Sequence, residues 1–206
     1  MKTPPPAAPP LENEGRTVVF NFLAMDELLD ILDSEGNFTG KTALKSEAHR
    51  KGWFHPTIHV WFYTKDGRLL IQQRAKNKDT HPLLWDVSVA GHISAGEEIE
   101  TSAIREIQEE IGLTITKNEL QKIGVFKSVH EHSEHLVDCE FHHTFLCQLK
   151  VPLKDLRKQE SEVEDLALIS LQQFSEETWG MANLKKYVPH GIEYFKTIIK
   201  EIKNRL

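Results

Sequence analysis

The sequence contains little cysteine and no long apolar run. Its 206 residues include two cysteines, Cys139 and Cys147, which give neither a disulfide framework nor the CxxC spacing of a zinc site. No stretch approaches the roughly 18 consecutive apolar residues of a membrane helix, and the start lacks the apolar centre of a secretory signal. We therefore expect reduced, buried thiols and a cytoplasmic protein without a membrane partner.

An excess of positive charge is also missing. The chain carries 25 Lys and Arg against 31 Asp and Glu, a formal net charge of -6. Such a chain has no general basic field that would attract a nucleic acid polymer, although a local basic pocket stays open as an alternative. Hydrophobic residues make up 39% and charged residues 27% of the chain, near the average of globular proteins. The composition predicts a packed globular fold.

The chain divides into a proline-rich start and one long globular stretch. Five prolines among the first ten residues predict that residues 1–24 form a disordered arm. Residues 25–206 have the length of one domain, and apolar residues at helical spacing in residues 191–205 predict a C-terminal helix. Periodicity and turn residues predict an opening hairpin that starts with residues 28–32, a second hairpin of residues 58–63 and 69–73, further strands at 85–90, 123–129, 139–149 and 167–171, and helices from about 100 to 111 and from 175 onward.

The helix predicted at residues 100–111 carries the clearest chemical signal. Its Glu106, Glu109 and Glu110 are spaced by three and four residues, so their carboxylates converge on one face. Arg105 stands four residues before Glu109 and can hold it, while Glu97 precedes the helix. Mg²⁺ prefers carboxylate oxygens together with phosphate oxygens, which makes magnesium the first candidate ion and manganese the alternative. The competing interpretation is a solvated acidic helix without a ligand.

A longer pattern favours the metal site. Residues 91–113 resemble the Nudix box at all of its specified positions, with matching spacing: Gly91, Glu97, Arg105, Glu106, Ile107, Glu109, Glu110, Gly112 and Leu113. The resemblance implies an α/β fold, a Nudix-type α/β/α sandwich around a mixed β-sheet. It also implies a hydrolase that cleaves a small-molecule diphosphate substrate by water attack on phosphorus, with Glu106, Glu109 and Glu110 as first metal ligands and Glu97 and Arg105 in support.

Two points stay open within this resemblance. The general base is either Glu109 or a glutamate of the later loop, which contains Glu160, Glu162 and Glu164. The attached group of the substrate is read by variable loops, so prenyl diphosphates, nucleotide sugars and dinucleotides all stay candidates. Many relatives are dimers, and a homodimer is our default expectation.

Residues outside the box resemble the branch of the family that contains type I isopentenyl-diphosphate isomerase. That resemblance implies a further metal site whose ligands here are His49, His55, His92, Asp138 and Glu140. The match departs from the pattern at two places, since the first two histidines need a one-residue gap and Asp138 replaces a glutamate. The isomerase also places its catalytic cysteine in an SVCGH run, where this chain has Ala90. We therefore predict a hydrolase, with an isomerase-like protein or a catalytically silent binding module as alternatives.

Two weaker signals concern basic residues and histidines. Arg74, Lys76 and Lys78 follow a predicted strand and precede the box, so they either clamp substrate phosphate or are solvated loop charges. A second transition-metal site is not predicted from the later histidines, because neighbours on a strand point to opposite faces. We interpret them as surface or core residues: His130, His132, His135, His142 and His143.

Overall fold

A computed structural model describes residues 26–179 and 186–206 of the chain. The predicted disordered arm of residues 1–24 lies outside the described residues. In chain order the described elements are β1 (Leu28–Leu32), β2 (Phe38–Leu44), α1 (Lys45–Lys51), β3 (His55–Tyr63), β4 (Arg68–Arg74), β5 (Trp85–Asp86), β6 (Val89–His92), α2 (Ile99–Ile111), β7 (Gln121–Ser133), β8 (Leu136–Gln148), β9 (Val163–Ser170), α3 (Leu171–Trp179) and α4 (Ile192–Lys203). Short 3-10 turns occupy Lys117–Glu119 and Leu153–Asp155.

A mixed seven-stranded sheet forms the centre of the described chain. Its order is β5-β4-β3-β8-β7, with β6 paired to β3 and β9 paired to β4. β3 and β8 are parallel, and the other paired strands of the sheet are antiparallel. Every residue of β3 is buried, as in strands that are covered on both faces. β1 and β2 form a separate hairpin, which confirms the predicted opening hairpin.

Alternate side chains of β3 enter two different cores. Ile58, Val60 and Phe62 belong to the core that Ile107 of α2 completes on one face of the sheet. Trp61 belongs to the core formed with α3 and α4 on the other face. Helices therefore cover both faces of a mixed sheet, in agreement with the predicted α/β/α sandwich.

The strands β3 and β4 separate soon after the turn that joins them. Their direct pairing is limited to Tyr63 and Leu69, and beyond that point β6 pairs with β3 and β5 pairs with β4. Since β8 and β9 occupy the opposite edges of β3 and β4, the segment 85–92 lies between these two strands. The single strand predicted at residues 85–90 is therefore wrong, because this segment changes partner between its two short strands.

Ser88 sits at the point where this segment changes partner. Its hydroxyl accepts a hydrogen bond from the backbone N of Phe62 at 2.8 Å and donates to the carbonyl of Leu70 at 2.5 Å. A buried side chain thus satisfies backbone groups that the separated strands leave without a ladder partner. The opening between β3 and β4 is fixed in this way.

The helix α2 confirms the helix predicted at residues 100–111. It ends at Gly112, which has a φ of 67° and donates its N–H to the carbonyl of Gln108 at 3.2 Å. A Cβ at Gly112 would lie 2.9 Å from the Cβ of Arg157, so both conformation and space favour glycine here. The end of the helix that carries the box glutamates is therefore well defined.

The later elements depart from their predicted boundaries. The strand predicted at residues 167–171 begins at Val163, because it pairs along β4 as far as Arg74. The helix predicted to begin at Ser175 begins at Leu171, whose buried side chain joins the core. In the described part of the chain no helix has both the length and the apolar character needed to cross a membrane.

Candidate active site and metal centre

A cavity of about 500 Å³ opens where β3 and β4 separate. Three sets of side chains on its wall carry ligand chemistry. They are the box carboxylates Glu106, Glu109 and Glu110, a first histidine group that includes His49, His92 and Glu140, and a second histidine group that includes His59 and His190. The fold therefore brings carboxylates from α2 and imidazoles from several other elements to one space.

Arg105 holds the box carboxylates in place. Its Nη1 donates to Glu106 at 2.6 Å and to Glu109 at 3.1 Å, while its Nε and Nη2 donate to Glu97 at 3.1 and 3.0 Å. Neither Arg105 nor Glu97 contributes to the cavity wall, although both are described. The geometry therefore gives these two predicted site residues a positioning role, with Arg105 aligning the carboxylates that face the cavity.

Two of the box carboxyl groups are buried and favour the protonated form. Burial raises the pKa of Glu106 to about 7, although Arg105 acts in the opposite direction. Burial and the charge of Glu106 raise the pKa of Glu110 to about 8. The Oε2 of Glu110 accepts hydrogen bonds from the backbone N of Ala90 and the Nε2 of Gln72, both at 3.3 Å. A nearby cation would stabilise the ionised forms of these groups.

The predicted convergence of the three box glutamates is met only in part. Glu106, Glu109 and Glu110 share the cavity, but within the described ranges they do not form a group whose oxygens all lie within 4.8 Å of one another. Arg105 draws Glu106 and Glu109 toward itself, whereas Glu110 is bound to the sheet.

The first histidine group consists of His49, His55, His92 and Glu140, and one ligand atom of each lies within 4.8 Å of the others. The Nδ1 of His55 donates to the carbonyl of Trp53 at 2.9 Å, which leaves Nε2 facing Glu140 Oε1 at 3.6 Å. The Nε2 atoms of the three histidines are buried without a hydrogen-bond partner among the described residues. Burial alone would lower the pKa of His55, but the nearby Glu140 carboxylate raises it. Orphaned imidazole nitrogens around a carboxylate fit a divalent metal ion.

Four elements position this group, and Asp138 stands at its edge. α1 carries His49, β6 carries His92, and the parallel register of β3 and β8 places His55 opposite Glu140. Asp138, which was predicted with them, accepts a hydrogen bond from His132 at 2.9 Å and lies 3.6 Å from His49 Nδ1. It is therefore placed to orient His49 from outside the group of four.

The structure supports only part of the predicted phosphate clamp of Arg74, Lys76 and Lys78. Arg74 lines the cavity, but it is occupied by a 3.1 Å ion pair with Asp86 and by hydrogen bonds to Thr80. Lys78 also lines the cavity and is paired with Glu162. Lys76 is exposed and lies outside the cavity wall. Lys78 is the member of this set best placed to meet a phosphate.

Neither cysteine of this chain replaces, at the cavity, the catalytic thiol of the isomerase motif. Ala90 lies in β6 on the cavity wall, at the position of the cysteine in the isomerase motif. Cys139 and Cys147 are both unpaired and buried, which confirms the expectation for the two thiols. Neither belongs to the cavity wall.

The second histidine group was not predicted from the sequence. It combines His59 of β3, His142 of β8 and His190, which precedes α4. The sequence places His55 and His59 four residues apart, a spacing that puts both on one face of a strand and that could have indicated His59. No local pattern points to His190, because only the packing of α4 against the sheet brings it to this place.

Comparisons with known proteins agree with this architecture. A family model described as NUDIX domain matches residues 53–190. The chain is 32% identical over 203 residues to an uncharacterised Nudix hydrolase of Clostridium acetobutylicum, with 86% of this chain and 97% of that protein covered. It is 31% identical over 180 residues to an isopentenyl-diphosphate Delta-isomerase of Serratia proteamaculans, with 86% and 92% covered. The crystal structure of a MutT protein from Methanosarcina mazei Go1 matches with a TM-score of 0.55 at 18% identity, over 73% of this chain and 96% of that chain, and this likeness confirms the fold.

Proposed function

This chain belongs to the NUDIX domain family and is a Nudix hydrolase, and we propose that it cleaves a diphosphate linkage with divalent metal ions, magnesium first and manganese as the alternative. The observation that carries the proposal is the placement of Glu106, Glu109 and Glu110 on one cavity wall. The resemblance to the isomerase-containing branch is confirmed by the similarity to a named isomerase.

The donor groups of the cavity fit the proposed ions. Carboxylate oxygens with room for phosphate oxygens suit Mg²⁺, and the first histidine group adds a set of nitrogen donors. When bound, a divalent ion would neutralise charge on the phosphate oxygens and lower the pKa of water. The ionised forms of Glu106 and Glu110, which burial disfavours, would then be stabilised.

The residues of the chain supply orientation and proton transfer in this proposal. Arg105 fixes Glu106 and Glu109 by charge-assisted hydrogen bonds, so that neither has to be ordered during the reaction. The Glu109 side chain lines the cavity and is 51% exposed. Glu162 also lines the cavity, whereas Glu160 and Glu164 do not. Glu109 and Glu162 are therefore our two candidates for the group that accepts the proton of the attacking water.

Isomerase activity is disfavoured by one residue. Proton transfer across an allylic system in the resembling isomerase uses a cysteine, and the methyl group of Ala90 can neither give nor accept a proton. We expect that the protein does not interconvert isopentenyl and dimethylallyl diphosphate, which proton NMR of the two isomers would measure directly.

The decisive experiment measures release of phosphate or nucleoside monophosphate from a panel of prenyl diphosphates, nucleotide sugars and dinucleotides. Wild type is compared with Glu109→Gln and Glu162→Gln in the presence of magnesium, of manganese and of a chelator. Glu176→Gln, which changes an exposed glutamate of α3, is the matched control. We expect metal-dependent turnover that the control retains and that at least one of the two cavity variants loses.

The alternative is a module that binds diphosphates without turnover. Absence of turnover on the whole panel, together with ligand binding measured by calorimetry, would favour that alternative. A pH–rate profile separates the two glutamates, because removal of the general base abolishes the acidic limb of the profile.

A further inference from the structure

The second histidine group, His59, His142 and His190, lies beside the first group without sharing a ligand with it. One ring nitrogen of each residue lies within 4.8 Å of those of the other two. His59 and His142 are each 4% exposed, and the His190 side chain is 8% exposed. The Nε2 of His142 and the Nδ1 of His190 are buried and have no hydrogen-bond partner within the described residues. Such nitrogens cost free energy unless a ligand binds them.

The other ring nitrogen of two of these histidines is already bound. The Nε2 of His190 lies 2.6 Å from Asp86 Oδ1, to which it can only donate, so in the neutral ring Nδ1 carries the lone pair. The Nδ1 of His142 lies 2.8 Å from Thr57 Oγ1 and 3.7 Å from a carboxylate oxygen of Glu140, and with the ring hydrogen on Nδ1 its Nε2 carries the lone pair. In these tautomers both orphaned nitrogens are acceptors, as a metal ligand must be.

His59 is held in place by Tyr194. The Tyr194 hydroxyl lies 2.8 Å from His59 Nδ1 and 2.9 Å from Trp61 Nε1, which can only donate. With a metal ion bound at His59 Nε2, Nδ1 would carry the ring hydrogen and donate it to the Tyr194 oxygen, which can accept from both Trp61 and His59.

Metal-binding histidines in proteins make outer contacts of this kind. A ligating imidazole usually donates its second N–H to a carboxylate or another acceptor, which fixes the ring and its tautomer. Asp86 serves His190 in this way, and its other carboxylate oxygen is held by Arg74 at 3.1 Å. Three imidazoles are thus oriented by contacts that do not involve a metal.

The three nitrogen donors of this group determine which class of metal ion it would bind. Three imidazole nitrogens without a carboxylate suit Zn²⁺ and related transition metals rather than Mg²⁺. His59 and His190 line the cavity, so a fourth coordination position would face the space shared with the box carboxylates. The rings of His59 and His142 stack at a centroid distance of 4.0 Å, and they must tilt apart for both lone pairs to point at one ion. We propose that His59, His142 and His190 form a transition-metal site that binds Zn²⁺ with an open position toward the cavity.

The test uses the full chain, stripped with a chelator and then loaded with zinc alone. Zinc per chain is measured by atomic emission after removal of free metal, for wild type, His190→Gln and His142→Gln. Each variant should hold one zinc fewer than wild type. His143→Gln is the matched control, because this neighbouring side chain of β8 points to the opposite face of the strand. It should retain the full zinc content.

A second variant keeps the proposal testable if loss of a buried histidine unfolds the chain. Tyr194→Phe removes no ligand but removes the hydroxyl that orients His59, so zinc affinity at this site should fall about 10- to 100-fold. Circular dichroism of each variant verifies the fold. Unchanged zinc affinity in a folded Tyr194→Phe protein, or unchanged zinc content in a folded His190→Gln protein, would overturn the assignment.

The first histidine group has to be separated from the second. His49→Gln removes a ligand of the first group only, and Co²⁺ then replaces zinc as a coloured probe of nitrogen coordination. The His49→Gln protein should keep a visible Co²⁺ spectrum that the additional His190→Gln change removes. Complete loss of the spectrum in His49→Gln alone would contradict the second site. The site goes beyond the proposed hydrolysis, since zinc content does not depend on turnover.

Discussion

Gly91 leaves the space that the Glu106 carboxyl group occupies. A Cβ at Gly91 would lie 2.2 Å from Glu106 Cδ and 2.4 Å from its Oε1. The backbone of Gly91 lies outside the left-handed region, so the need for glycine comes from space and not from conformation. The first specified residue of the box thus acts on the carboxylate fifteen positions later in the chain.

Gly91→Ala should therefore displace Glu106 and weaken metal-dependent hydrolysis. A displacement of about 1 Å at a catalytic centre lowers rates on the order of 100-fold. The loss is measured as kcat/KM across a magnesium titration. Gly124→Ala in β7 is the control, because its Cβ would contact only the ring of Phe126, at 3.2 Å. Equal activity of the two alanine variants would contradict the role assigned to Gly91.

Arg105 should act through its forked geometry and not only through its charge. Arg105→Lys keeps the positive charge but cannot hold Glu97, Glu106 and Glu109 together. We expect both Arg105→Lys and Arg105→Gln to lower the apparent magnesium affinity about 10- to 100-fold. Arg68→Gln changes an exposed arginine that pairs with Asp66 and should leave this affinity unchanged. Full activity of Arg105→Lys would show that charge alone suffices.

The stability of the metal-free protein should fall as the pH rises above the range in which its histidines titrate. Glu106 and Glu110 have pKa values of about 7 and about 8, above the ordinary value of 4.5. A carboxyl group whose pKa is raised on folding stabilises the fold at low pH, and this contribution is lost as the pH passes through the folded pKa. At lower pH the buried histidines whose pKa is lowered, such as His142 at about 4, act in the opposite direction. Denaturant unfolding in a chelator should therefore show the decrease between about pH 6.5, where a free histidine titrates, and about pH 8, the folded pKa of Glu110.

Glu110→Gln provides the matched variant for this pH dependence. The amide is neutral at every pH, so the decrease in stability should be shallower in the variant than in wild type. Added magnesium should reduce the decrease in wild type, because a cation stabilises the ionised carboxylates. An identical pH slope in both proteins would rule out Glu110 as a source of the effect.

Cys147 should be unreactive in the native protein. Burial raises the pKa of its thiol to about 12, and the thiolate is the form that reacts with alkylating reagents. In a Cys139→Ser background, iodoacetamide at pH 8 should label the native protein far more slowly than the denatured protein. Rapid labelling of the native protein would mean that the core around Cys147 opens readily.

The parts of the fold that could be predicted are those with local signals. The helix α2 was predicted within one residue because apolar spacing marks its buried face and Gly112 marks its end. The hairpin of β7 and β8 is longer than predicted, since its outer residues are polar and become strand through cross-strand pairing such as that of His130 with Asp138. Polar edge residues of this kind give no apolar pattern from which a strand can be predicted.

The residues of the candidate site also divide into those with a local sequence signal and those without one. The box glutamates could be named from spacing along one helix, and the first histidine group from a resemblance to a related family. His190 could not be predicted, because its position depends on how α4 packs against the sheet. The ion pair of Arg74 with Asp86 could not be predicted either, because the pairing of β5 with β4 is what brings these two residues together. Contacts of this type depend on the tertiary structure alone.

The parallel pairing of β3 with β8 has a consequence for the order of events during synthesis of the chain. Thr57 and His142 face each other although they are 85 residues apart, so neither histidine group is complete until β8 has left the ribosome and joined the sheet. Closing so long a loop is slow compared with forming a helix or a hairpin. We therefore expect the finished sheet, and not the emerging chain, to be the species that first captures a metal ion in the cell.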